Sequence, residues 1–84
     1  MTRLVYFAWV REQIGVAEEE LDLPRSPITI ADLAQWMAAR GGGYATAFAD
    51  PAKLRCAIDQ VVAPFSTSIG DAKEIAFFPP VTGG

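Results

Sequence analysis

Thr29-Ile30-Ala31-Asp32-Leu33-Ala34-Gln35-Trp36-Met37-Ala38-Ala39-Arg40 decides the fold class, because it has the period of a helix while the runs on either side of it have the period of strands. Thr29 is a favoured N-cap residue, and the acid three positions on at Asp32 makes a weaker form of the capping box. Leu33 and Met37 stand four apart with Ile30 and Ala34 beside them, an apolar stripe that has to pack on a sheet. Gly41-Gly42-Gly43 stops the helix near Arg40. Because that glycine run follows a helix rather than preceding one, it offers no helix N-terminus to a phosphate.

Toward the N-terminus, Leu4-Val5-Tyr6-Phe7-Ala8-Trp9-Val10 is short and rich in β-branched and aromatic residues, which reads as a first strand. Arg11 to Gly15 carries the chain round. In Glu18-Glu19-Glu20-Leu21-Asp22-Leu23 the leucines face one side and Glu20 and Asp22 the other, a half-buried second strand whose acidic side discourages pairing with other chains. Pro24 and Pro27 end it. Toward the C-terminus, Tyr44 to Asp50 reads as either a short second helix or a packed loop, closed by Asp50-Pro51. Leu54-Arg55-Cys56-Ala57-Ile58 alternates, Asp59-Gln60 turns a hairpin, Val61-Val62-Ala63 pairs back, and Glu74-Ile75-Ala76-Phe77-Phe78 is the final strand.

Two strands, a helix, then more strands is an α+β arrangement in which the helix covers one face of a mixed sheet. The order matches the β-grasp, the ubiquitin-like roll, with its first and last strands side by side at the centre. The expected organisation is one domain over 1–78 and a flexible, extended tail over 79–84. No internal repeat or low-complexity tract interrupts it.

Composition narrows the function. With 84 residues there is room for one thin core and no enclosed cleft, since a chain of this size buries roughly 60–65% of its unfolded surface. Net charge is −3 with no cluster of Lys or Arg, so counterion release gives little affinity for nucleic acid. No apolar run approaches the ~20 residues that span a bilayer, and Met1-Thr2-Arg3 leads straight into a strand pattern rather than a signal peptide. A single cysteine excludes an internal disulfide and fits the cytoplasm.

One helix covers one face of a small sheet, so alternation marks the side chains left outside. Arg3 puts Val5, Phe7 and Trp9 on its own face of the first strand, and Glu74 puts Ala76 and Phe78 on its face of the last. If those strands are neighbours, Phe7 and Phe78 form an apolar patch, with Val62 as a third member. Such a patch marks a partner. Arg11, just past the first strand, is a secondary candidate for pairing with an acidic rim on that partner.

Catalytic constellations are scarce. The chain has no histidine, which removes the commonest general base and metal ligand and any Ser-His-Asp site. Cys56 is flanked on its strand face by Leu54 and Ile58, the setting of a small buried hydrophobe rather than a reactive thiol. Glu18, Glu19 and Glu20 lack the spaced oxygens and glycine of a calcium loop and read as a solvated edge. Trp9, Trp36, Tyr44 and Phe48 have no interleaved cations and read as packing rather than a base-stacking platform. What remains is the C-terminus. Pro79-Pro80 stiffens the exit from the last strand, and Gly83-Gly84 makes the thinnest tether the backbone offers, reactive through its terminal carboxylate.

At Phe77-Phe78-Pro79-Pro80-Val81-Thr82-Gly83-Gly84 the chain resembles the small, sulfur-carrying subunits of molybdopterin synthase. The likeness extends to Tyr6-Phe7-Ala8-Trp9-Val10-Arg11-Glu12-Gln13-Ile14-Gly15 and to Leu54-Arg55-Cys56-Ala57-Ile58-Asp59-Gln60, so that it spans nearly the whole layout. Two departures stand out. The family commonly has an Asp-Gly turn where this chain has Asp71-Ala72, and often an Asn where it has Asp59.

The resemblance implies that an adenylating enzyme related to the ubiquitin-activating enzymes uses ATP to form an acyl-adenylate on Gly84. A sulfur donor protein then converts it to a thiocarboxylate. The tail, Pro80, Val81, Thr82, Gly83 and Gly84, enters the large catalytic subunit, where sulfur passes to cyclic pyranopterin monophosphate. Six extended residues from Pro79 to Gly84 reach at most about 20 Å, enough to thread another protein's active site. The resemblance further implies a heterotetramer, two small subunits flanking a dimer of large ones, with no cofactor or metal bound by this chain. Rival readings are a sulfur carrier for thiamine thiazole synthesis, a ubiquitin-like modifier joined to lysines through Gly84, and a pure interaction module. An independent enzyme fits least.

Overall fold

Residues 1–25 and 27–80 are described by a computed structural model of the chain. Its sheet is assembled by the two end strands, which the alternation of Leu4 and Tyr6 with Ile75 and Phe77 makes apolar on one side. β1 (Thr2–Tyr6) and β5 (Glu74–Phe78) pair in parallel, Leu4 opposite Ile75 and Tyr6 opposite Phe77. β2 (Glu18–Leu21) adds antiparallel to β1, β3 (Arg55–Ile58) antiparallel to β5, and β4 (Val61–Ala63) antiparallel to β3. The order β2-β1-β5-β3-β4 puts the first and last strands at the centre, as the β-grasp requires.

The N-terminal run is shorter as a strand than its composition suggests. Instead of continuing to Val10, the strand ends at Tyr6, and α1 (Ala8–Ile14) follows. Val10 and Ile14 stand four apart on the face that packs inward, and Gly15 closes the helix in the left-handed region at φ 99, its N–H donating to the Arg11 carbonyl at 2.8 Å. The aromatic content of the run concealed this helical period. Trp9 is therefore a helix residue, and its placement on a strand face is overturned.

α2 (Ile30–Ala38) carries the expected capping box in full: the Thr29 hydroxyl accepts from the Asp32 N–H and the Asp32 carboxylate from the Thr29 N–H, both at 3.2 Å. The bond from the Thr29 N–H, with the Thr29 hydroxyl adding to it, holds the Asp32 carboxyl below the usual carboxylate range. Ile30, Leu33, Ala34 and Met37 are buried against the sheet. The triple glycine does more than stop α2. Gly41 leaves that helix at φ 80, while Gly42 and Gly43 open α3 (Gly42–Ala47), which resolves the ambiguous stretch after Tyr44 as a helix followed by a 3-10 turn at Pro51–Lys53.

The core joins both layers. Phe77 meets Phe48 edge-on, ring centroids 4.9 Å apart, and Phe65 at 6.1 Å, with Leu4, Tyr6, Leu54, Cys56 and Ile75 also inaccessible around them. The β3–β4 hairpin turns through Asp59 and Gln60 at φ 48 and 73. Asp59 Oδ1 accepts from the Lys73 and Glu74 N–H groups at 3.0 Å each, a task that the amide oxygen of an Asn performs equally well. In the loop before β5 the left-handed residue is Gly70, at φ 52, so Ala72 is spared that conformation.

α1 and α3 touch through Gly43. A Cβ there would stand 1.8 Å from the Gln13 carbonyl oxygen, so backbone has to move to admit one. Gly43→Ala is expected to lower stability by about 1–3 kcal/mol, read from the denaturant midpoint at unchanged slope. A midpoint equal to that of the parent chain would show that the two helices are not held this closely.

Candidate functional site

The last ladder bond at the head of the sheet runs from the Phe7 N–H to the Phe77 carbonyl, 3.2 Å. In a parallel pair this bond sets Phe7 opposite Phe78. Phe77 points into the core and anchors the strand, so the next residue points out of the opposite face. Pro79 and Pro80 follow, both half-buried, and neither has an N–H with which to continue the ladder. The chain thus leaves the sheet at its centre rather than at an edge.

Two rows of side chains occupy the face opposite the helices. Phe7, half exposed, and Phe78, half-buried, make one, continued by Arg55 across from Phe78. The second follows the strand pairing through Val5, Ala76, Ala57 and Val62 across four strands. Val62 lies on the edge strand and is 69% exposed. Phe7, Phe78 and Val62 therefore share one face, with two alanines between the strands' larger residues that keep its middle flat. Arg3 and Glu74, 3.8 Å apart, bound the patch at the far end of the same strands.

Arg11 sits within α1 rather than in a connection after the strand, exposed, with its carbonyl accepting from the Gly15 N–H. Trp9, two positions earlier, turns to the helical side. There Trp9, Ala47, Ala49, Ala52, Pro79 and Pro80 line a shallow groove of ≈ 650 Å³, with Asp50 and Lys53 among its polar residues. Sequence reading missed this groove because it treated Trp9 as a strand residue. The four-residue spacing of Val10 and Ile14 ahead of Gly15 was the signal for a helix that would have redirected it.

Cys56 lies at the centre of the core, its Sγ 3.1 Å from the Ala63 carbonyl oxygen to which it donates. Burial pushes its thiol up, away from the thiolate that nucleophilic chemistry needs. Glu19 departs from its expected role. It faces inward with Leu21, and its carboxylate accepts from the Tyr6 hydroxyl at 2.8 Å and the Tyr44 hydroxyl at 2.5 Å. Burial first, and then the bond to Glu19, raises both phenols, so each remains a neutral donor. Among the described residues no group of three or more His, Cys, Asp or Glu side chains is placed to hold a metal ion, and no helix is long and apolar enough to cross a membrane. Val81, Thr82, Gly83 and Gly84, the remaining residues expected to act, lie outside the described residues.

This architecture recurs in known proteins. The chain is 41% identical to the molybdopterin synthase sulfur carrier subunit of Escherichia coli and 37% identical to that of Haemophilus influenzae, in each case over the full length of both chains. Among solved structures, a Pyrococcus furiosus protein provisionally described as molybdopterin converting factor subunit 1 superposes with a TM-score of 0.73 at 25% identity, covering 95% of this chain and 97% of its own. SAMP1 from Haloferax volcanii, at 20% identity, shares the fold with a TM-score of 0.69 over 99% of this chain and 98% of its own. A family model matches residues 4–84, and the chain belongs to the ThiS family.

Proposed function

We propose that this chain is the sulfur carrier subunit of a molybdopterin synthase and that Gly84 bears the sulfur as a C-terminal thiocarboxylate. The observation that carries the reading is the end-to-end likeness to the Escherichia coli subunit of that name. A sheet that releases the chain from its central strand is in keeping with it.

The chemistry follows from the carboxylate. As an anion it is a poor electrophile, so the Gly84 oxygen first attacks the α-phosphorus of ATP on a ubiquitin-activating-type adenylyltransferase, and pyrophosphate leaves. Sulfide delivered by a sulfur donor protein then attacks the acyl carbon as HS⁻, AMP leaves with the bonding pair, and loss of the remaining proton gives the thiocarboxylate. The thiocarboxylate is ionised at neutral pH, and its sulfur is the nucleophile toward cyclic pyranopterin monophosphate in the large catalytic subunit. This chain contributes the donor group and its aim. Acid and base work belongs to the partners, in a cytoplasmic heterotetramer in which two small subunits flank paired large ones.

Removing Gly84 tests the assignment directly. A chain ending at Gly83 should melt at the same temperature and yield no pterin dithiolene in a reconstituted system, and equal yield from both chains would sink the reading. Cys56→Ala should still accept and deliver sulfur, with stability lower by about 1 kcal/mol from lost packing. A well-folded Cys56→Ala chain unable to become thiocarboxylated, as read by intact mass, would place the sulfur on the thiol instead.

The open face is proposed as the surface a partner grips while the tail enters its active site, with Phe7, Phe78 and Val62 as contacts and Arg11 paired to an acidic rim. Burying a ring contributes roughly 1.5–3 kcal/mol, so Phe78→Ala should weaken binding to the large subunit by at least about tenfold while the domain remains folded. Titration of both chains against the large subunit and the adenylating enzyme decides it, with thermal melts as the control. Unchanged affinity for both partners would leave the tail as the only recognised element.

A further inference from the structure

The tail root has two sides, and the open face covers only one. On the other, Trp9 from α1, Ala47 at the end of α3, Ala49 in the connection after it, Ala52 from the 3-10 turn, and Pro79 and Pro80 form the apolar part of the ≈ 650 Å³ groove. Ala49 and Ala52 are exposed and Trp9 is half-buried, so an apolar surface is left to solvent beside the exit of the chain. The polar residues differ in what they have left to offer. Asp50 already accepts from the Ala52 N–H at 3.1 Å, whereas Lys53 is exposed and makes no ion pair among the described residues.

Continuity with the tail, charge and area together constrain what fills the groove. Pro79 and Pro80 are lining residues and also the first residues of the tail, so a protein that encloses the tail meets the groove without a gap. Lys53, without an ion pair among the described residues, can meet a carboxylate set beside an apolar side chain, while Asp50 has one carboxylate oxygen on the Ala52 N–H. Area is the third. A stable interface takes about 800 Å² from each partner, about a sixth of the 5055 Å² this chain exposes. On the open face Ala57 and Ala76 are 9% and 7% accessible, so its middle has little left to bury, and a lasting subunit contact needs surface on both sides of the root.

We propose that the groove between Trp9 and Pro79-Pro80 is a second docking site for the large synthase subunit, taking an apolar side chain of that partner with a neighbouring carboxylate on Lys53. This rests on the sulfur-carrier reading. The large subunit rather than the adenylating enzyme is the occupant, because a subunit contact has to persist and adenylation requires only a transient one. The tail root is then clamped from both faces of the sheet, which limits the directions in which the chain can leave it.

Two single variants of the full-length chain test the site, Lys53→Glu to reverse the charge and Ala49→Arg to fill the groove. Both positions are exposed, and thermal melts check that the fold survives. Each variant should bind the large subunit at least about tenfold more weakly, the loss expected of a central contact, with affinity for the adenylating enzyme within about threefold of the parent. Parental affinity of both variants for the large subunit overturns the proposal, and so does a loss that falls equally or more on the adenylating enzyme, which would make that enzyme the occupant. The chain lacking Gly84 separates the two readings. If it transfers no sulfur while both groove variants bind normally, only the groove assignment fails. If it transfers sulfur, or the parent chain does not bind the large subunit at all, the carrier reading fails and the groove assignment falls with it.

Discussion

Everything in this molecule depends on the parallel pairing of its first and last strands. A parallel pair cannot be joined by a tight turn and needs a long crossover. Here everything between Tyr6 and Glu74 is that crossover, and it has to build both the rest of the sheet and the layer that covers it. The pair is held by four buried side chains, Leu4, Tyr6, Ile75 and Phe77, and by the edge-on contact of Phe77 with Phe48, worth about 0.5–1.5 kcal/mol beyond its buried area. The exposed Arg3–Glu74 ion pair at its far end adds little by comparison. Since Phe77 is the penultimate residue of β5, the residues that give the fold its stability stop just short of the point where the chain leaves the sheet.

Edges and layers follow from the same arrangement. With β1 and β5 central, β2 and β4 become the two edges, and the chain treats them differently. β2 exposes Glu18 and Glu20 and turns Glu19 inward, where two tyrosine hydroxyls satisfy it. Tyr44 links that carboxylate to α3, and the Arg40 guanidinium lies 4.5 Å from its ring centroid and 5.5 Å from that of Trp36. One half-buried acid thereby ties an edge strand to the helical layer. β4 is only three residues long and bears no charge, so its resistance to pairing rests on shortness rather than repulsion.

Legibility of the sequence was uneven for physical reasons. Strand parity carried the outcome wherever one face is buried and the other is not, and Leu4, Tyr6, Cys56, Ile75 and Phe77 all point inward as alternation requires. The capping box at Thr29 and the hairpin at Asp59-Gln60 were equally readable, since each rests on local side-chain chemistry. The failures came where apolar residues were too dense to show a period. In Ala8-Trp9-Val10, helix and strand are both compatible with composition, and the Val10–Ile14 spacing ahead of the stop at Gly15 distinguishes them. The glycine run hid a second helix for a related reason. Gly43 is required by the approach of the Gln13 carbonyl, a tertiary contact that no local pattern announces.

For the candidate site the same division applies, with consequences for how such a protein is recognised. The one thiol is buried and its pKa raised, and among the described residues no charged side chain is fully buried. What distinguishes the chain is the order of residues along β5. Phe77 points in, Phe78 points out, and two prolines end the ladder, so fixed strand, exposed ring and unpaired backbone succeed one another within four residues. Trp9 places a second apolar surface at that same point from the helical side. A partner that binds here meets both surfaces at the point where the chain leaves its central strand.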